Sequence, residues 1–171
     1  MRSLDAFVDL LQAHQVARVI DVRTIPRSRR NPQFNRETLP QALHGRKIHY
    51  THLAALGGLR HARKDSLNTG WQNASFRGFA DYMQTAEFEA GIEKLVELAK
   101  KEQVAAMCAE AVPWRCHRSL IADALLVRGI AVHHITSLKR AEPHRLTSFA
   151  RVQGTHITYP SPLELSDAVV S

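Results

Sequence analysis

The chain has 171 residues, with 23 Lys and Arg against 16 Asp and Glu, a net charge of +7 and a pI near 9.9. That length suits one domain with its own core, and 44% hydrophobic with 23% charged residues is a globular composition, excluding a disordered or fibrous chain. The apolar runs are too short to cross a bilayer, the first residues lack a signal-peptide core, and two cysteines cannot build a disulfide framework. A cytoplasmic protein with reduced thiols and no membrane partner is therefore expected.

Leu4, Phe7, Val8 and Leu11 recur at helical spacing behind Ser3 as N-cap, so the pattern predicts a helix over 3–15. The β-branched run Val16 to Val22 predicts a strand, and Pro26 and Pro32 make 23–35 a loop. A short helix over 36–44, ended by Gly45, and a brief strand from Lys47 to Tyr50 follow. Leu56-Gly57-Gly58-Leu59 reads as a turn and 60–74 as polar loop, ahead of helices over 75–83 and 86–101. Val104 to Cys108 is a short apolar strand, 109–115 a loop, and Cys116 to Arg128 a helix with Gly129 as its C′ cap. Ile130 to Ile135 reads as a further strand, parallel to the one before the helix in a right-handed crossover unit. Strands alternating with helices predict an α/β fold. One domain over 1–158 is expected, with a mostly parallel sheet and helices on both faces in a Rossmann-like three-layer arrangement. The Pro- and Ser-bearing end, 159–171, reads as a flexible tail.

The charge is concentrated. From Arg18 to Lys64 there are 11 basic residues against Asp21 and Glu37, which leaves the remainder slightly acidic. Arginine predominates, and its planar fork suits bidentate contact with phosphate or carboxylate. Arg23, Arg27, Arg29, Arg60 and Arg118 are the candidate anion-binding residues.

In open parallel sheets, ligands bind outside the carboxyl ends of the strands. Two such ends carry unusual chemistry: Asp21-Val22-Arg23, and Cys108-Ala109-Glu110 with Cys116-His117-Arg118 beyond it. At the expected helix start, free N–H groups and neighbouring cations favour an anion and the thiolate form of Cys116. The candidate catalytic residues are Cys116 as nucleophile, with His117, Glu110 and Asp21 for proton transfer. Cys108 ends an apolar strand and is expected in the core. A phosphatase-type loop from Cys108 to Arg115 is disfavoured, since it lacks glycine, is one residue too long and carries Glu110. The spacing of Cys108, Glu110, Cys116 and His117 matches no common zinc pattern. No metal and no cofactor are expected.

Several separated motifs resemble the family called domain of unknown function 488. They are Ile20-Asp21-Val22-Arg23 with Pro26-Arg27-Ser28-Arg29 and Phe34; Leu56-Gly57-Gly58-Leu59-Arg60; Phe79-Ala80-Asp81-Tyr82-Met83; and Cys108-Ala109-Glu110 with Pro113, Cys116-His117-Arg118 and Ile121-Ala122-Asp123. The resemblance implies a small cytoplasmic α/β domain with enzyme-like polar motifs and brings no established reaction. Members of that family usually open with an apolar strand and a Gly-His-Ser-like turn. Neither has a counterpart ahead of Ser3, so an exposed sheet edge is expected. Three functions follow from the residues: an enzyme acting on a phosphate-bearing small molecule or nucleic acid, a non-catalytic nucleic-acid-binding module using the basic 18–64 segment, or a protein whose arginines meet an acidic partner surface.

Overall fold

The computed structural model describes residues 2–163. Helix α1 (Leu4–Ala13) starts where expected, Ser3 Oγ accepting from the Ala6 N–H at 3.1 Å. Strand β1 (Arg18–Asp21), helix α2 (Leu39–His44) and strand β2 (His49–His52) follow; α2 and β2 begin two or three residues later than the sequence pattern suggests. Next come helices α3 (Ala74–Tyr82) and α4 (Ala86–Lys101) and strand β3 (Val104–Met107). Thr85 caps α4, with Glu87 and Glu89 in its first turn and Lys100 and Lys101 in its last, matching the helix dipole at both ends.

The main sheet is parallel with order β2-β1-β3, so β1 is central and β2 and β3 are its edge strands among the described residues. Its side chains alternate between two apolar clusters, as the period of a strand requires. Val19 joins Val8, Leu11, Leu39 and Leu43 from α1 and α2, while Ile20 and Val22 join Phe79, Phe88, Ile92, Leu120 and Ile121 from α3, α4 and helix α5 (Arg118–Leu126). Each of these large side chains contributes ~1.5–3 kcal/mol on full burial. Gly129, at φ +76°, ends α5 in the left-handed conformation expected of a C′ cap.

The structure corrects the topology after α5. The segment expected as a parallel strand, Ile130 to Ile135, instead leads into β4 (His133–Ser137), which pairs antiparallel with β5 (Arg140–Pro143) in a separate hairpin. The physical reason lies in its composition. A buried parallel strand needs a nearly continuous apolar run, which His133, His134 and Thr136 interrupt, and the short Leu138-Lys139 turn offers a local partner first. Strands β6 (Arg151–Gln153) and β7 (His156–Thr158) form a second small antiparallel pair. The fold is thus mixed α/β, with a three-stranded parallel sheet and two hairpins among the described residues.

Tyr159, where the flexible tail was expected to begin, is fully buried. Its hydroxyl donates to Asp123 Oδ2 at 2.8 Å, and its N–H donates to Asn68 Oδ1 at 2.9 Å. Residues 164–171, the rest of that segment, lie outside the described residues. Asp123, itself fully buried, also accepts from Thr147 and bonds His144 Nε2 at 2.7 Å, and His144 Nδ1 meets His134 Nε2 at 2.9 Å. This chain of polar groups ties the β4–β5 hairpin and Tyr159 to α5. Among the described residues no helix is long and apolar enough to cross a membrane.

Candidate active site

Parallel register decides what the site contains. Asp21 lies level with Met107 on β3 and His52 on β2, so the chain leaves all three strands at one edge. The Val22 N–H donates to the Met107 carbonyl at 2.9 Å, which sets the arginine loop beside the start of the cysteine loop. The two segments then meet directly: His117 Nε2 lies 3.0 Å from the Val22 carbonyl oxygen. A carbonyl only accepts, so Nε2 carries the proton, and Nδ1 is left facing Cys116 Sγ at 3.6 Å.

Room for this imidazole comes from Gly58. A Cβ there would stand 2.5 Å from His117 Nδ1 and 2.8 Å from two of its ring carbons. Phe79 closes the other side, ring centres 5.0 Å apart. The glycine pair legible in the sequence as a turn therefore also shapes the histidine's seat.

Cys116 does not open the helix. It lies in extended backbone (φ −136°, ψ 146°) after a 3₁₀ turn at Pro113–Arg115, and α5 begins at Arg118 with His117 as its cap residue. The anion seat expected at this helix start is filled by the protein's own sulfur. The Arg118 N–H and Nε donate to Cys116 Sγ at 3.5 and 3.4 Å. The Arg118 guanidinium is itself held by the Glu110 carbonyl.

Cys108, expected in the core, is half-buried and packs against the cluster of Ile20, Phe79 and Leu120, with its sulfur 2.7 Å from that of Cys116. The Glu110 N–H donates to Cys108 Sγ at 3.2 Å, the Cys108 thiol lies 3.4 Å from the Glu110 carbonyl oxygen, and an S–H hydrogen bond joins the two sulfurs. Two thiols sharing one proton titrate far apart. The hydrogen bond from Cys108, with help from His117 and Arg118, pulls the Cys116 thiol well below its ordinary value against the opposing effect of burial. The same hydrogen bond, with burial, pushes Cys108 strongly upward. Cys116, which receives the Arg118 Nε and backbone N–H, is the more acidic thiol of the pair.

The other expected residues fall into different places. The Asp21 carboxylate is fully buried and accepts from Arg23 Nε and Nη2 at 2.9 and 2.6 Å and from the Tyr50 hydroxyl at 2.6 Å. Arg23 Nη2 also donates to the Phe34 carbonyl at 2.7 Å. Arg60 lies over the Tyr82 ring at 3.6 Å and donates to the Gly57 carbonyl. The Glu110 carboxylate caps its own loop, accepting from the Val112 N–H at 3.2 Å, and its backbone is what reaches the sulfurs. Arg27 and Arg29, with Arg30 and Arg36, are exposed and have no side-chain hydrogen bond or ion pair among the described residues. Four unpaired guanidiniums thus sit on one loop. Among the described residues, no three of His, Cys, Asp or Glu converge as a metal site would require.

The approach of Cys108 to Cys116 across the loop was open to sequence reasoning as a zinc-ligand arrangement, whereas the part played by the Val22 carbonyl was not. The signal available was the pair of cysteines flanking a seven-residue loop with a proline at Pro113. Compared with curated proteins and with solved structures, the chain gives no significant match. Over residues 3–125, most of its length and all of the elements just described up to α5, it matches the family model for Domain of unknown function DUF488, and it belongs to that family.

Proposed function

We propose that the protein is an enzyme acting on a phosphate-bearing substrate, a nucleotide or nucleic acid, through the Cys116 thiolate at the carboxyl edge of the sheet. One observation carries this reading: a cysteine sulfur receives an arginine Nε–H and a backbone N–H and shares a hydrogen bond with a neighbouring thiol, with an oriented imidazole beside it. Nucleophile, base and orienting group stand in the order that nucleophilic catalysis requires: Cys116, His117 and the Val22 carbonyl. Cys116 attacks the electrophilic centre, and His117 Nδ1 takes or returns the proton that the step moves. Arg118 stabilises the sulfur's charge, while Arg27 and Arg29 with their unpaired neighbours draw in the anionic group. Asp21, Arg23, Arg60 and Glu110 are positioning residues in this reading, since their side chains are already engaged. The reading assumes a Rossmann-like layering, with ligand at the strand ends, and a reducing cytoplasm that keeps both thiols free.

The test is alkylation of the native protein by iodoacetamide, located by peptide mapping, with and without inorganic phosphate. Modification of Cys116 well below the ordinary thiol pKa, slowed by phosphate, is the expected result. An inert Cys116 would end the enzymatic reading. The four unpaired arginines would then favour the second one, a nucleic-acid-binding module on the 18–64 segment. Its binding falls steeply with salt as each neutralised phosphate releases counterions.

A further inference from the structure

We propose that Cys108 and Cys116 are a redox couple, Cys116 taking oxygen from a hydroperoxide and Cys108 resolving the product to a disulfide within the chain. The inference rests on the reading of Cys116 as the nucleophilic thiolate and adds a second activity at that site. The sulfurs are in contact at 2.7 Å, joined by a loop of seven residues, so they meet without any change in the sheet or in α5. Their surroundings are unlike those of two thiols buried for packing alone. Arg118 touches the Cys116 sulfur from both its backbone and its side chain, and the Glu110 N–H holds the Cys108 sulfur against Cys116. The division of labour follows. Arg118 donates to the Cys116 sulfur from both its Nε and its backbone N–H, so charge is best held on Cys116 and it attacks first. Cys116 is buried and Cys108 half-buried, so the pair is shielded from bulk solvent.

The steps balance as follows. The Cys116 thiolate attacks the terminal oxygen of the hydroperoxide, and the O–O bond breaks. The alkoxide or hydroxide leaves and takes a proton from solvent, giving an alcohol or water. Cys116 is now a sulfenic acid, oxidised by two electrons, and the peroxide is reduced by two. The Cys108 sulfur then attacks the Cys116 sulfur, the S–O bond breaks, and the departing hydroxide takes the proton that Cys108 gives up, leaving as water. An external dithiol reverses the change by exchange.

The experiment uses the full chain, reduced and freed of reductant, then exposed to an equimolar amount of hydrogen peroxide. It is next denatured, treated with N-ethylmaleimide and weighed intact. The expected product has lost two hydrogens and takes up no maleimide, and dithiothreitol restores both thiols. Cys108→Ser stops at a sulfenic acid on Cys116 that dimedone captures, and Cys116→Ser leaves Cys108 untouched at the same peroxide. Two maleimides on treated wild-type protein, or direct passage of Cys116 to sulfinic acid without a disulfide, would overturn the proposal. Native alkylation run in parallel separates the two readings. If Cys116 is alkylated at low pH yet no disulfide forms, the redox couple fails and the nucleophile stands; if Cys116 is inert, both fall.

Discussion

Arg118→Gln removes the charge that most directly faces the Cys116 sulfur. Guanidinium Nε and sulfur are 3.4 Å apart, a separation at which two unit charges attract by ~5 kcal/mol at an effective dielectric of about 20. Water admitted by the shorter side chain returns much of this, and the Cys108 S–H and the backbone N–H remain. A net loss of ~1.4–3 kcal/mol is expected, raising the Cys116 thiol by about one to two pK units. The assay is the rate of iodoacetamide alkylation at Cys116 against pH. For the wild-type chain the rate stays nearly level from about pH 8 down to about pH 4, because the thiolate is already formed. For the variant it falls on the acid side, by ~10-fold per pH unit once the new pKa is passed. Arg118→Lys keeps the charge without the fork that reaches both the sulfur and the Glu110 carbonyl, so it falls between the two. Thermal denaturation of each variant checks that α5 is intact. Superimposable pH profiles for wild type and Arg118→Gln in folded protein would refute the reasoning, since the sulfur's charge would then owe nothing to Arg118.

The remaining predictions touch separate parts of the structure. Gly58→Ala places a methyl group 2.5 Å from His117 Nδ1, so the ring must leave the Val22 carbonyl. A stability loss of ~1–3 kcal/mol by chemical denaturation is expected, with a changed alkylation profile at Cys116, and an unchanged profile would remove His117 from the mechanism. Tyr159→Phe deletes one donor to the buried Asp123 carboxylate and is expected to cost ~1–3 kcal/mol in urea denaturation; a neutral result would mean the residue is not held as described. Burial, aided by the neighbouring His144, Arg118 and His133 and opposed by Glu142, holds His134 below its ordinary pKa. The unfolded chain therefore binds the proton more readily, and stability is full above the ordinary value of about 6.5 and declines as pH falls through it. His134→Gln should flatten that decline in thermal midpoints measured across the same range.

Much of the architecture was legible because it is local. Helix α1 announces itself by Ser3 and the spacing of Leu4, Val8 and Leu11, and Gly129 marks the end of α5 because only a left-handed residue closes that turn. The strand after α5 was misread for a reason that is not local. Val132 and Ile135 have strand-forming character, but whether they join the central sheet depends on what else competes for them, and the β4–β5 turn competes at short range. Tyr159 sits among Pro and Ser residues that suggest a tail, and its place in the core depends on Asp123 and Asn68, distant in the chain.

What the sequence determined by itself is the chemistry available: an arginine-rich segment, two thiols, an imidazole and a double glycine, set between elements whose periods and caps are written into neighbouring residues. What only the tertiary structure decided is which of these groups act on one another. Parallel pairing of β1 with β3 carries Val22 to His117 across 95 positions of chain, and the folded 109–115 loop turns two separate cysteines into one hydrogen-bonded pair. Periodicity is set by neighbours in the chain, whereas a hydrogen bond is set by neighbours in space. That is why Asp21, a plausible acid by its position at a strand end, turns out to be bound by Arg23 and Tyr50, and why Cys108, which packs against the core as expected, also meets Cys116.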